Sequence, residues 1–225
     1  MRGTHLMYSK SVTKALMAFL DRRVTPVRRD ALLARTREIY LDFLPTVPDL
    51  GGRQNFQAQA VYDSIAIFAF WEAMERKLTL EELEQLNNDL FVPKMMGGGL
   101  VSFNCAAVRR YAHAIFSHLS KRGKAKNWPG NYHMEVEPWD REGGVKYRFT
   151  TCPIADFARA HGYLHLMPAL CNADYPMLRS IHAGLIRTTT CANGDFCDYW
   201  ILGDRDPRLA EHPCYRDEAG SLRNR

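Results

Sequence analysis

The stretch "IAIFAFW", Ile65 to Trp71, carries no polar side chain on any face. A surface helix shows a single apolar stripe; a helix that is apolar all round has to be enclosed by other elements. These residues sit inside a longer run from about Phe56 to Lys77, with Val61, Ile65, Phe68 and Ala69 on one side. The rest of the chain must therefore supply a wrapping. Up to about Gly123 that wrapping reads as helices. An amphipathic helix fits the N-terminal "MRGTHLMYSKSVTKALMAFLDRR", and a second runs from Arg29 to Phe43, ended by Pro45. A Pro/Gly loop covers Pro45 to Asn55. Thr79-Leu80-Glu81-Glu82 is a capping box that opens another helix. Met95 to Gly99 is a glycine-rich break without a phosphate-binding or dinucleotide fingerprint. Ser102 or Asn104 then begins a helix through Ala107, Tyr111, Ile115 and Leu119, and "SKRGKAKNWPGN" reads as a solvated loop after it.

Beyond that loop the period changes from helical to two. "YHMEVEPW" and "VKYRFTTC" alternate around a Gly-Gly turn and read as paired strands. Pro153 to Cys171 returns to helical spacing. Ile181 to Cys191 and Phe196 to Leu202 read as a last hairpin, and residues 204–225 as a loose polar tail. The expected fold is α+β and a single domain: a helical layer over about 1–123 packed with an antiparallel sheet and inserted helix over about 131–203.

Asn193-Gly194 is the strongest two-residue hairpin signal in the chain. Taken as the turn, it sets Cys191 opposite Phe196, Thr189 opposite Asp198 and Arg187 opposite Trp200. Alternation then places Arg187, Thr189, Cys191, Asp198 and Trp200 on one face, with Thr188, Thr190, Cys197 and Tyr199 on the other. Arg187 and Asp198 become diagonal neighbours able to pair.

The net charge of +5 does not mark a nucleic-acid binder, because the basic residues scatter and no stripe interleaves them with aromatics. No apolar run approaches the ~20 residues of a membrane span. The N-terminus lacks a small-residue cleavage site, so the six cysteines are expected to be free thiols in a reducing, cytoplasmic compartment. Cys152, Cys171, Cys191 and Cys197, with His165 and His182, are numerous enough for zinc. No short Cys-x2-4-Cys pair exists, however, and buried cysteine commonly acts as a small hydrophobe. The expectation is no metal and no cofactor. Cys171 is a candidate nucleophile with Asp174 three residues on and His165 and His182 in reach by sequence; packing is the competing role. Arg187 suits a substrate carboxylate or a structural ion pair.

The stretch "CPIADFARAHGYLHLMPALCNADYPMLRSIHAGLIRTTTCANGDFCDYWIL" resembles the C-terminal part of the L-2-amino-thiazoline-4-carboxylic acid hydrolase family. The resemblance is carried by Cys171 with Asp174, Arg187 with Thr190, Gly194-Asp195 and Cys197-Asp198-Tyr199. Upstream, Pro48, Leu50, Gly51, Gly52 and Asn55 resemble the loop before the family's long apolar helix, so the likeness spans about Phe43 to Leu202. The hairpin also resembles the end of 4-vinyl reductase domains. The family resemblance implies opening of a cyclic amidine-like ring to an N-carbamoyl amino acid, the substrate being a small organic acid. It implies Cys171 as nucleophile or water activator, Asp174 as proton shuttle with His182 or His165, and Arg187 on the substrate carboxylate. Asp198 would orient Arg187, and Asn55 would add a polar contact. A non-catalytic binding module and a ring-forming or rearranging tailoring enzyme are the alternative readings. A homo-oligomer is compatible with all three.

Overall fold

The computed structural model describes residues 10–55, 57–95, 101–140 and 143–225. The helical half consists of α1 (Lys10–Asp21), α2 (Pro26–Phe43), α3 (Ala58–Ala73), α4 (Leu80–Met95) and α5 (Ala106–Lys126). Thr25 caps α2, with Pro26 in its first turn. The capping box opens α4 reciprocally: Thr79 N donates to Glu82 Oε2 at 3.0 Å and Glu82 N to Thr79 Oγ1 at 3.2 Å. α3 is the enclosed helix, buried without interruption from Val61 to Trp71. Its Ser64 hydroxyl bonds back to the Ala60 carbonyl. α2 lies along α3, and α6 (Pro153–Ala160) covers it from the other half of the chain. The glycine-rich break expected at Met95 to Gly99 falls outside the described residues beyond Met95.

Four strands form one antiparallel sheet in the order β1-β2-β4-β3: β1 (His133–Val136), β2 (Val145–Thr151), β3 (Ala183–Ile186) and β4 (Cys197–Gly203). α5 packs over β1 and β2. α8 (Asp174–Arg179) packs over β3, and α4 contacts both α8 and α7 (Met167–Cys171). The architecture is α+β, helices first. Two buried clusters result, one joining α1–α4 to α6, α7 and the cysteines Cys191 and Cys197, and one between the sheet and α5 and α8; Tyr199 packs against both.

Several local expectations are corrected. The basic run Lys121 to Lys126 completes α5 rather than forming a loop, and Asn127 ends that helix in the left-handed conformation. Pro153 to Cys171 is not one helix: Gly162, at φ +77°, breaks it, and a 3-10 turn at Leu164–Leu166 joins α6 to α7. Residues 204–225 are not loose. They form the turn α9 (Arg208–Glu211) and the hairpin of β5 (Cys214–Arg216) and β6 (Leu222–Asn224), with Ser221 and Asn224 buried.

The last hairpin differs most. Ile186 pairs with Trp200, one step from the expected register, so continuing β3 sets Arg187 opposite Tyr199. Asn193-Gly194 is not a two-residue turn; residues 187–196 form a loop closed by side-chain acceptors. Asp198 accepts the amides of Thr188 and Thr189, Asn193 Oδ1 accepts the Thr190 amide, and Cys197 Sγ accepts the Cys191 amide at 3.1 Å. Local acceptors of this kind compete with the strand ladder for backbone donors. Gly194 serves close approach, since a Cβ there would lie 2.3 Å from the Thr189 hydroxyl.

Candidate active site

The slipped register puts Cys197 and Tyr199 on the inner face of β4, opposite Phe149 and Tyr147 of β2. Tyr147 and Tyr199 stack at 4.7 Å with planes 8° apart, and Phe149 meets both edge-on at 5.5 and 5.7 Å. Tyr132, just before β1, extends this aromatic wall against Phe149 at 5.1 Å. Facing the wall is the junction of α7 and α8, which carries Cys171 and Asp174. That junction is held by side chains capping the carbonyls a short helix leaves open. Asn87 Nδ2 donates to the carbonyls of Ala169 and Leu170, and Arg187 Nη1 donates to that of Cys171 at 3.1 Å.

Arg187 is fully enclosed, at 0% relative exposure. Its Nη1 also donates to Asp174 Oδ2 at 2.7 Å, Nη2 reaches the Leu222 carbonyl at 3.4 Å, and Tyr175 and Tyr199 flank the guanidinium. Burial opposes its charge, but Asp174 together with Tyr199, Cys171 and Tyr175 more than offsets that, so its pKa rises. The C-terminal hairpin closes the space behind it. Asn224 Oδ1 accepts the Arg187 amide at 3.0 Å and the Tyr175 hydroxyl at 2.9 Å. Asn224 N donates to the Arg187 carbonyl at 2.8 Å.

Asp174 Oδ2 is doubly engaged, accepting from Arg187 and from the Tyr199 hydroxyl at 2.8 Å. Oδ1 has no hydrogen bond among the described residues, and a quarter of the side chain, 25%, remains open. Burial raises the Asp174 pKa, and Arg187 and Tyr199 pull it down without cancelling that rise. Tyr132, Tyr147, Cys152, Cys171, Asp174 and Tyr199 share one combination of properties. Each keeps accessible surface, yet burial dominates the titration of each and pushes its pKa up. Deep in the fold but not sealed from water, these six groups mark the candidate recess. The Cys171 thiol is pushed up to about 12, so it is protonated at neutral pH. The C-terminal end of α7 supplies no field to reverse that.

The predicted site residues thus divide. Cys171, Asp174 and Arg187 come together; the pairing of Arg187 with Asp198 does not occur, because the register points them to opposite faces of the sheet. Asp198 Oδ1 accepts the Thr189 amide at 2.7 Å, and Oδ2 the Thr188 hydroxyl at 2.8 Å. Cys191 and Cys197, expected on opposite faces, meet across the loop instead. His182 lies at the other end of β3, exposed and paired with Asp204 at 3.0 Å. His165 is exposed against Trp71. Asn55 is buried in its loop, donating to the Leu50 carbonyl at 2.8 Å and to Asn131 Oδ1 at 3.0 Å. The hydroxyls of Tyr199 and Tyr132 were not anticipated as polar groups; alternation from Cys197 in the correct register would have pointed to the first. Among the described residues no group of three or more His, Cys, Asp and Glu could hold a metal ion. No helix among them is long and apolar enough to cross a membrane.

A cavity of about 250 Å³ lies nearby, between the Thr46–Pro48 turn, α3, α6 and the strand ends at His133 and Thr151. Its lining includes Asn131, His133, Thr151 and Pro153, the chain neighbours of Tyr132 and Cys152. Its His161 touches Thr46 Oγ1 at 3.0 Å, and burial lowers the ring's pKa. Its carboxylate, Asp156, is exposed to solvent and paired with Arg159 at 3.0 Å, whereas Asp174 is held deep in the fold by Arg187 and Tyr199, so the recess is the better candidate for chemistry.

The family model described as L-2-amino-thiazoline-4-carboxylic acid hydrolase matches residues 55–201. The chain belongs to that family. The match runs from the buried Asn55 to Ile201 of β4, and so takes in α3, the α7–α8 junction, Arg187 and Tyr199. No curated protein and no solved structure matches the chain. The family's name is that of a hydrolase acting on a small molecule.

Proposed function

We propose that the protein opens a small cyclic amidine of the L-2-amino-thiazoline-4-carboxylate type, releasing an N-carbamoyl amino acid. One observation carries the reading: Asp174 presents one oxygen to an aromatic-walled recess while its other oxygen is fixed by Arg187 and Tyr199. A base held this way has a set direction, and a raised carboxylate pKa brings it closer to the operating pH. Asp174 Oδ1 accepts a proton from water as the water oxygen adds to the ring carbon between sulfur and nitrogen. The product keeps both nitrogens on its carbamoyl carbon, so the bond that breaks is carbon–sulfur. The proton on Asp174 then passes to the departing sulfur, while the hydroxyl proton of the adduct moves to the ring nitrogen as the carbonyl forms.

Cys171 is a second nucleophile in the same recess. Since its thiol is protonated, attack by sulfur hands that proton to Asp174, which passes it to the ring sulfur as the ring carbon–sulfur bond breaks. Water then adds to the same carbon through Asp174, its second proton moving to nitrogen, and Cys171 departs as the thiol. Both routes run through Asp174. In this reading Arg187 positions Asp174, and Asp198, Asn55, His165 and His182 are structural or surface groups.

The test uses the thiol that ring opening liberates. Asp174→Asn leaves the buried Arg187 charge without its counter-ion, so the variant is assayed below its lowered melting point, where kcat should fall about a hundredfold or more, the usual contribution of a positioned base. Cys171→Ser separates the routes, abolishing turnover only if sulfur attacks. Binding of the thiazoline by the unmodified protein with no thiol released identifies a binding module and removes the hydrolase reading.

A further inference from the structure

The tyrosines around the recess are not equivalent. The Tyr199 hydroxyl donates to Asp174, and that of Tyr175, beside Arg187, to Asn224. The hydroxyls of Tyr132 and Tyr147 have no hydrogen-bond partner among the described residues, and neither is sealed from water. Phenols inside a protein normally find a partner. Two that do not, on one wall of one recess, mark donors awaiting an acceptor. Their rings are fixed, Tyr147 between Tyr199 and Phe116 and Tyr132 against Phe149. Burial and the Asp174 charge keep both protonated, hence able to donate. Arg187 does not reach the acceptor, since its whole side chain is enclosed: Nη1 and Nη2 already donate within the fold, and Nε, although without a partner among the described residues, is sealed from the recess side.

We infer that Tyr132 and Tyr147 are specificity-determining residues, whose hydroxyls donate to the carboxylate of the substrate while its amidine end meets Asp174. The inference rests on the proposed ring-opening reading and moves carboxylate recognition from Arg187 to two neutral phenols. Neutral donors fit here: they bind an anion without drawing Asp174 away from the reacting atoms.

The experiment compares L-2-amino-thiazoline-4-carboxylate with 2-amino-2-thiazoline, which lacks the carboxylate, on the unmodified protein, Tyr132→Phe and Tyr147→Phe. Each variant removes one oxygen and leaves the ring in place. For the carboxylate compound each should raise KM about tenfold, the effect of losing one hydrogen bond to a charged group, with kcat changed much less. For the carboxylate-free compound KM should stay within about twofold, since only carboxylate-dependent recognition is lost. Equal losses on both compounds, or none on either, overturn the inference. If neither compound is hydrolysed the ring-opening reading fails, and calorimetric binding decides instead. Carboxylate-dependent binding weakened by the Phe variants supports the assignment; binding indifferent to them, or absent, removes it.

Discussion

Replacing Arg187 by Met tests whether the recess is organised around one buried cation. Arg187→Met keeps an apolar stem of similar length between Tyr175 and Tyr199, so packing changes little and the electrostatic part dominates. Lost are the ion pair to Asp174 at 2.7 Å and the donors to the Cys171 and Leu222 carbonyls. Removing one partner of a buried pair costs about 3–5 kcal/mol. Asp174 keeps an open oxygen and the Tyr199 hydroxyl, which favours the lower end, about 3 kcal/mol. For a chain of this size that corresponds to a melting point lower by roughly 6–12 °C. The penalty also has a sign in pH. Asp174 already titrates above the ordinary carboxylate value in the folded state, so its neutral form contributes stability at low pH that is lost as pH rises through the folded pKa. Removing the cation extends that window upward. The variant should therefore lie closer to the unmodified protein near pH 4 than at pH 7, and adding Asp174→Asn should recover much of the loss. Thermal unfolding at the two pH values reads all three outcomes. A melting point within about 2 °C of the unmodified protein at pH 7, or no recovery in the double variant, would refute the reasoning.

Two further outcomes follow from neighbouring groups. Asn224→Ala leaves the Arg187 amide and the His212 carbonyl without their partner and the Tyr175 hydroxyl with only the Leu222 carbonyl at 3.3 Å, and should destabilise by about 2–4 kcal/mol in urea titrations. In a thiol-labelling series read by mass spectrometry, Cys105 should be modified first. It is exposed, and the amides of Val108 and Ala107 at the start of α5 lower its pKa. Cys171 should react slowly at neutral pH, its rate still climbing beyond pH 9, where an ordinary thiol has levelled off.

The helical half was legible because its signals are local. The Thr79–Glu82 box, Pro45 after Phe43 and the unbroken apolarity of Ile65 to Trp71 each describe a neighbourhood of a few residues. The site was legible only as a list of residue types. Cys171, Asp174 and Arg187 stood out as chemistry, but Asp198 was assigned to Arg187 because Asn193-Gly194 was given the turn. What decides that register is the competition of Asp198, Asn193 and Cys197 for loop amides, which no strand periodicity encodes. The same holds for Asn224, whose polar tail sequence conceals a hydrogen-bonding position behind Arg187. His182 and His165 were included for what imidazole can do, and their places at the edge of β3 and beside Trp71 depend on chain path alone.

The loop of residues 187–196 is held from both sides of the sheet, by Asp198 on the outer face and Cys197 on the inner. Ten residues between strands would ordinarily sample many conformations and lose that freedom when a ligand arrived. Here the ordering occurs during folding, before any substrate is present. Binding then has little loop entropy to overcome, and this wall of the recess is preorganised. The neighbouring residues Cys197 and Asp198 therefore set the loop's shape from opposite faces of the strand, which leaves Tyr199 to hold Asp174.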